Sequence, residues 1–198
     1  MKVAVIGSGG REHALCFALK NSKKIKKIFC IPGNAGTEEI AQNINIDLEN
    51  FEDLEIFLKE NNVETVVIGP EKPLVNGIVD FLEKKNIRVF GPNKIASQLE
   101  GSKIFTKKLC EKYNIPTAKF GIFKDIKKAV NFFEDCKYPI VVKADGLASG
   151  KGVFICENKE EAQSATKEIF DGKFGETDEV LIEEFLEGEE MSYFVVCD

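Results

Sequence analysis

The 198-residue sequence is short of the features that mark a membrane protein, a secreted disulfide scaffold or a nucleic-acid binder. Its 33 Asp and Glu outnumber its 27 Lys and Arg, for a net charge of −6, and no basic tail or basic face stands out. This excludes non-specific nucleic-acid binding and attachment to anionic lipid as the main activity, since both need a positive field. The densest basic run, KNSKKIKK at 20–27, reads as a solvated helix end. The start, MKVAVIGSGG, enters a strand with no charged lead and no long apolar stretch, so neither a signal peptide nor a transmembrane segment is expected, and the cytoplasm is the default compartment. Among the six cysteines there is no C-x-x-C pair, and most lie in apolar runs. That is the pattern of reduced buried thiols, and no zinc site is expected. The one histidine, His13, reads as a packing or capping group before a catalytic one.

What is present is a core-forming composition, 43% hydrophobic, ordered as alternating strands and helices. An apolar strand at 2–6 runs through Gly7-Ser8-Gly9-Gly10 into a helix carrying Ala14, Leu15, Phe17, Ala18 and Leu19 at helical spacing. Strands follow at 28–31, 65–68 and 88–90, with helices at 51–60 and 75–85 between them. The alternation predicts a doubly wound α/β domain whose ligands sit at the carboxyl ends of a parallel sheet. Gly7, Gly9 and Gly10 do not complete a dinucleotide fingerprint: Glu12 stands where the third glycine belongs, and the second strand ends in Cys30-Ile31-Pro32 without an acid for a ribose. Arg11 after the glycines points to a single phosphate held by backbone and guanidinium, or else to a surface salt bridge. The loops PGNAG (32–36) and Gly69-Pro70-Glu71 end two strands on the same edge, and their Pro, Gly and Asn also suit plain turns. Glu71 is a carboxylate placed to accept hydrogen bonds from sugar hydroxyls.

From residue 101 the character changes, and a domain boundary is expected near Glu100. A helix with Ile104, Phe105, Leu109 and Cys110 inward leads to a strand at 120–123, a helix capped by Asp125 through Phe133, and the stretch PIVVKADGLASGKGVFIC at 139–156. The last reads as strand, Lys143, a glycine-rich loop with Lys151, and strand. Gly146, Gly150 and Gly152 can bring backbone N–H groups close to phosphate oxygens. GLASGKG is one residue short of the common P-loop, has Gly152 in place of the hydroxyl, and enters a strand rather than a helix, so it reads as a flap on a hairpin or as a solvated turn. A helix capped by Asn158 and a strand at 180–182 follow, then EEFLEGEE (183–190), which is either a solvated acidic face or an adenine-binding hinge with a ribose-binding carboxylate.

In this order the second half resembles the ATP-grasp fold. The series VIGSGGREHAL, PGNAGT, GPEKPLV, FGP, LEGSKIFTK, IPTA, VVKADGLASGKGV and IEEFLEGEE resembles, over the whole chain, the phosphoribosylamine–glycine ligase family of purine biosynthesis. The resemblance implies ATP-dependent joining of glycine to 5-phosphoribosylamine through glycyl phosphate, giving glycinamide ribonucleotide, ADP and phosphate. It implies a Rossmann-like domain at 1–100, the start of the ATP-grasp domain and a linker at 101–122, a lid subdomain at 123–190 and the beginning of a central subdomain at 191–198. It implies that Lys103, Lys143 and Lys151 meet ATP phosphates, with Gly146, Ser149, Gly150 and Gly152 completing the flap. Glu183 would accept from the adenine amino group, Glu184, Phe185 and Leu186 would form the hinge, and Glu190 would hold the ribose. Gly9, Gly10, Arg11 and Glu71 are the corresponding candidates for phosphoribosylamine.

The family pattern is about twice this long, and its Mg²⁺-binding Glu and Asn belong to a later E-F-N-x-R motif absent from these residues. The expectation is therefore an N-terminal portion, with an apolar strand at 191–198 seeking a sheet, that binds small molecules but does not turn over alone. Two other readings share part of the evidence. One is another ATP-grasp ligase or carboxylase; the other is a dinucleotide-binding oxidoreductase, opposed by the missing acid.

Overall fold

The computed structural model describes residues 1–147, 151–175 and 177–195, and forms two compact units, Met1–Gly101 and Ser102–Asp198. The first contains β1 (Lys2–Gly7), α1 (Gly10–Lys20), β2 (Lys27–Pro32), α2 (Ala35–Glu38), β3 (Gln42–Asn43) and α3 (Phe51–Glu60). It continues with β4 (Thr65–Ile68), α4 (Glu71–Asn76), α5 (Ile78–Lys84), β5 (Arg88–Phe90) and α6 (Gln98–Gly101). Its five strands are parallel in the order β3-β2-β1-β4-β5. Parallel strands need crossovers, and the helices that supply them cover both faces, so β1 is buried from Val3 to Ile6. The period-2 alternation sends Ala4 and Ile6 to the side of Leu54, Leu58, Ile78 and Leu82 from α3 and α5, and Val5 to the side of Cys16 from α1.

The order of connections reverses between β1 and β4, the switch point at which open α/β sheets bind ligands. Two expectations need correction here. The inward stripe of α1 is Glu12 and Cys16, with Leu15 and Leu19 half-buried, while Phe17 is 61% exposed and Ala14 and Ala18 face out. Cys16 is small enough to sit flush against Val5, Ile28 and Cys30, and that contact fixes the rotation of the helix. The single helix expected at 75–85 is two: Gly77, in the left-handed region at φ +93°, ends α4 and starts α5.

The second unit contains α7 (Lys103–Tyr113), β6 (Phe120–Phe123), α8 (Ile126–Phe133), β7 (Ile140–Ala144), β8 (Val153–Cys156), α9 (Lys159–Phe170) and β9 (Val180–Glu184). Its sheet is antiparallel in the order β6-β9-β7-β8. Asp125 and Asn158 accept hydrogen bonds from the first-turn N–H groups of α8 and α9. Both helices pack on one face, closing Phe133, Ile169, Ala129 and Ala165 over Ile140, Val142, Val180 and Ile182. The alternate residues Lys143 and Glu183 therefore stand on the opposite face. In α7 only Ile104 of the expected inward residues is fully buried; Phe105, Leu109 and Cys110 are half-buried.

The strand expected at 191–198 is not found in its described part: 191–195 pair with nothing and Phe194 is 89% exposed. Apolar residues form a strand only against a partner edge, and 191–195 pair with none of the described strands. Five cysteines are free thiols, and burial pushes Cys156 up to about 11, so it stays protonated at neutral pH. No helix among the described residues is long and apolar enough to cross a membrane.

Phe133→Ala should destabilise the second unit by about 3–5 kcal/mol, the usual effect of emptying a fully buried aromatic site. Asn158→Ala, which removes only a helix cap, should cost about 1 kcal/mol. Urea unfolding followed by circular dichroism checks both, and equal losses would place the core elsewhere.

Candidate functional sites

At the switch point of the first unit, the loops after β1 and β4 enclose a cavity of about 530 Å³ lined by Gly9, Gly10, Arg11, Pro70, Glu71 and Lys72, among others. Arg11 spans it: Nη2 donates to Glu71 Oε1 at 2.9 Å and Nη1 donates to the Gly69 carbonyl. Beneath the loop lies Glu12, 4% exposed, whose Oε2 accepts from the Gly9 N–H at 2.5 Å. A Cβ at Gly7 would come within 2.6 Å of the Glu12 carboxyl carbon, and one at Gly69 would overlap its oxygen. The glycines are thus there for Glu12, and the N–H that a dinucleotide pyrophosphate would use at Gly9 is taken.

The PGNAG loop braces the same turn, because Asn34 Nδ2 donates to the Ser8 carbonyl at 2.8 Å while its Oδ1 caps α2. Gly36 leaves room for the His13 ring, which a Cβ would approach to 2.7 Å, so His13 packs against this loop. Lys72 pairs with Glu49 at 2.6 Å on the rim.

In the second unit Lys143 is opposite Leu181, and Glu183 lies two residues further along β9 on the same face, the diagonal spacing that long side chains bridge. Lys143 Nζ donates to Glu183 Oε2 at 2.6 Å, and Lys107 Nζ lies 3.1 Å from Oε1. Glu183 is 6% exposed, so both ammonium groups compensate a carboxylate held away from water. Lys103 Nζ donates to the Gly146 carbonyl at 2.9 Å, at the base of the flap.

Asp145 joins the flap to the start of α7: Oδ2 accepts from Ser102 Oγ at 2.8 Å and Oδ1 from the Ile104 N–H at 3.1 Å. Gly146 takes φ +89°, and Ala144 N donates to the Gly152 carbonyl at 2.8 Å, closing the hairpin. Lys151 is exposed; Ser149 and Gly150 lie outside the described residues. At the end of β9, Glu184 holds Lys119 through backbone and side chain; past it, Phe185 and Leu186 are 37% and 64% exposed, and Glu190 is exposed.

The structure thus brings Lys103 to the flap base and Lys143 to Glu183, and sets Arg11 against Glu71. Sequence reasoning passed over Glu12, Lys107 and Asp145. Glu12 carried a signal, an acid three residues after a glycine cap. Lys107 carried a weaker one, lying four residues from Lys103 on one helix face. Asp145 carried none.

Among the described residues no three His, Cys, Asp or Glu side chains gather as a metal site.

A parallel-sheet unit with a ligand cavity at its switch point, followed by an antiparallel unit with a lysine-bearing glycine hairpin, defines the class: an ATP-grasp protein. The comparisons agree, since a family profile described as the ATP-grasp (A) domain of phosphoribosylglycinamide synthetase matches residues 101–198, and that of its N domain matches 1–100. The chain belongs to the phosphoribosylglycinamide synthetase family.

Curated relatives include the phosphoribosylamine–glycine ligases of Mesorhizobium japonicum, 47% identical, and Brucella melitensis, 48% identical, each aligned over all of this chain and 47% of its own length. This chain spans about half the length of such relatives. Among solved structures, the phosphoribosylamine–glycine ligase of Thermotoga maritima is 34% identical with a TM-score of 0.79 over 96% of this chain and 45% of that one. The biotin carboxylase domain of the Hydrogenobacter thermophilus 2-oxoglutarate carboxylase, solved with MgADP, ADP and bicarbonate, shares the fold at 23% identity, covering 94% of this chain and 44% of that one with a TM-score of 0.76.

Glu12→Ala should destabilise the first unit by about 1–3 kcal/mol, because it leaves the Gly9 N–H without its acceptor. The Glu71 carboxyl is held below its ordinary 4.5, first by its own backbone N–H and then by Arg11. A lowered folded pKa stabilises above the unfolded value and is lost as pH falls through the folded one. Glu71→Gln should therefore lower stability slightly at neutral pH and converge with the parent in acid, a small effect because the side chain is 42% exposed. Thermal unfolding across pH checks this.

Proposed function

We propose that the chain supplies the nucleotide-binding and phosphoribosyl-binding surfaces of an ATP-dependent ligase that joins glycine to 5-phosphoribosylamine through glycyl phosphate, yielding glycinamide ribonucleotide, ADP and phosphate. The observation that carries the reading is the placement of Lys143 on the face of the second sheet opposite α8 and α9, beside the flap base held by Lys103 and opposite Leu181, four residues before the hinge at Phe185 and Leu186 on the same chain segment. Phosphoryl transfer to a carboxylate needs positioning and charge neutralisation more than covalent help.

Lys103 and Lys143 would bind phosphate oxygens, with Lys151 and the flap glycines, Ser149 included, closing over them. Glu183 would face the adenine amino group, Glu184, Phe185 and Leu186 the base, and Glu190 the ribose. In the first unit, Arg11 and the loop at Gly9 and Gly10 would hold the 5-phosphate through the guanidinium and the backbone beyond the Gly9 N–H that Glu12 occupies, with Glu71 accepting from sugar hydroxyls. ATP, glycine and 5-phosphoribosylamine are all small and water-soluble, which suits a cytoplasmic enzyme. The bicarbonate-using alternative shares only the fold, at 23% identity, whereas relatives at 44–48% carry the glycine ligase name.

Lys103→Ala and Lys143→Ala should each weaken binding of the ATP analogue AMP-PNP about 10- to 100-fold, the worth of a charge-assisted hydrogen bond of about 1.5–3 kcal/mol. Arg11→Ala should abolish binding of ribose 5-phosphate, used as a stable probe, and leave AMP-PNP unaffected. Calorimetry measures both. Nucleotide affinity indifferent to the two lysines would overturn the reading.

A further inference from the structure

Lys107 is the least exposed of the lysines around Glu183, at 12% against 25% for Lys143. Its ammonium group donates to Thr117 Oγ1 at 2.6 Å and to the Ala118 carbonyl at 3.3 Å, lies 3.1 Å from Glu183 Oε1, and sits 5.6 Å from the centre of the Phe120 ring. These contacts anchor it to the segment leading into β6, independently of anything bound to the protein. Lys143, in contrast, rests its ammonium on Glu183 Oε2 at 2.6 Å.

To reach a phosphate, Lys143 has to loosen its hold on a carboxylate that is 6% exposed. A buried anion left without a counter-ion is strongly disfavoured, so a lone Glu183 would hold Lys143 back. Glu183 is not alone. With Lys107 fixed on its other oxygen, the carboxylate stays compensated when Lys143 turns away, and the motion meets little opposition.

We propose that Lys107 is a positioning residue for the nucleotide reaction: it carries the Glu183 charge so that Lys143 is available to the phosphates. The inference rests on reading the second unit as a nucleotide site, and it assigns Lys107 no contact with the ligand. Its signature is a loss confined to the phosphate contribution, because adenosine does not engage Lys143.

The experiment compares adenosine and AMP-PNP affinities by calorimetry and ligand-observed NMR on the 198-residue protein and its variants, taking their ratio as the phosphate contribution. Lys107→Met should lower that ratio tenfold or more with adenosine affinity unchanged, and Lys107→Arg should keep it within about threefold. Adding Glu183→Gln to Lys107→Met should restore the ratio to within about threefold, since no carboxylate then detains Lys143; any contact of Glu183 with the base cancels in the ratio. An unchanged ratio in Lys107→Met, equal losses for both ligands, or a double variant as impaired as the single one would overturn the inference while leaving the nucleotide reading intact. Parent protein that binds neither ligand would overturn both. Should Lys107→Met fail to fold, the double variant decides alone, a ratio near the parent's supporting the proposal and a tenfold lower one refuting it.

Discussion

The second unit depends on a buried carboxylate placed between two ammonium groups on the sheet face opposite α8 and α9. At the observed separations of 2.6 and 3.1 Å the pairs are worth about 6 and about 5 kcal/mol of attraction at an effective dielectric constant of about 20. Withdrawing each ion from water costs several kcal/mol, so the trio nearly cancels as a contribution to folding. What it does provide is direction. Lys143 extends from the middle of a sheet whose other face is sealed by Phe133 and Ile169, and Glu183 fixes where its ammonium group stands. A side chain with four rotatable bonds is thereby given one resting place, next to the flap and the hinge.

The first unit solves a related problem with backbone. Its loops at the carboxyl ends of β1 and β4 lie where the strand connections diverge. Glu12 supplies the support from beneath, tying the Gly9 N–H and filling the space that Gly7 and Gly69 leave by lacking a Cβ. Asn34 ties the neighbouring carbonyls from the side. Arg11 then crosses the cavity to Glu71, so that its guanidinium is held in one orientation.

Much of this was legible from local pattern. The helix Phe51–Glu60, the helices capped by Asp125 and Asn158, the strands Thr65–Ile68 and Phe120–Phe123, and the glycine hairpin all follow from periodicity and capping chemistry within a dozen residues. The misses have one physical cause. Whether Phe17 or Cys16 faces the core depends on the space left by Val5 and Cys30, residues of other strands. Gly77 breaks a helix because the chain must turn there, although glycine alone does not demand it. Glu12 read as a missing glycine because its partner at Gly69 lies 57 positions away, outside any local window. The pairing of Lys107 with Glu183 spans 76 positions and appears only when the sheet brings β9 beside α7. Motif resemblance placed residues near a nucleotide without saying what holds them there.

Lys103 and Asp145 extend the same logic to the flap. Helix α7 begins at Lys103, and its first-turn N–H groups are satisfied partly by Ser102 Oγ, to Phe105, and partly by Asp145 from the end of β7, to Ile104. Asp145 also takes the Ser102 hydroxyl hydrogen, and Lys103 holds the carbonyl of Gly146, the next residue along. Consecutive residues of the flap base therefore fix consecutive residues of the helix start. The lysine on the helix cannot shift without disturbing the glycine at which the flap leaves the sheet. Since Gly146 sits in the left-handed region with open space around it, it is the point at which the chain can rotate most easily. The Lys103 hydrogen bond to the Gly146 carbonyl therefore ties the start of α7 to the left-handed residue at which the backbone leaves β7.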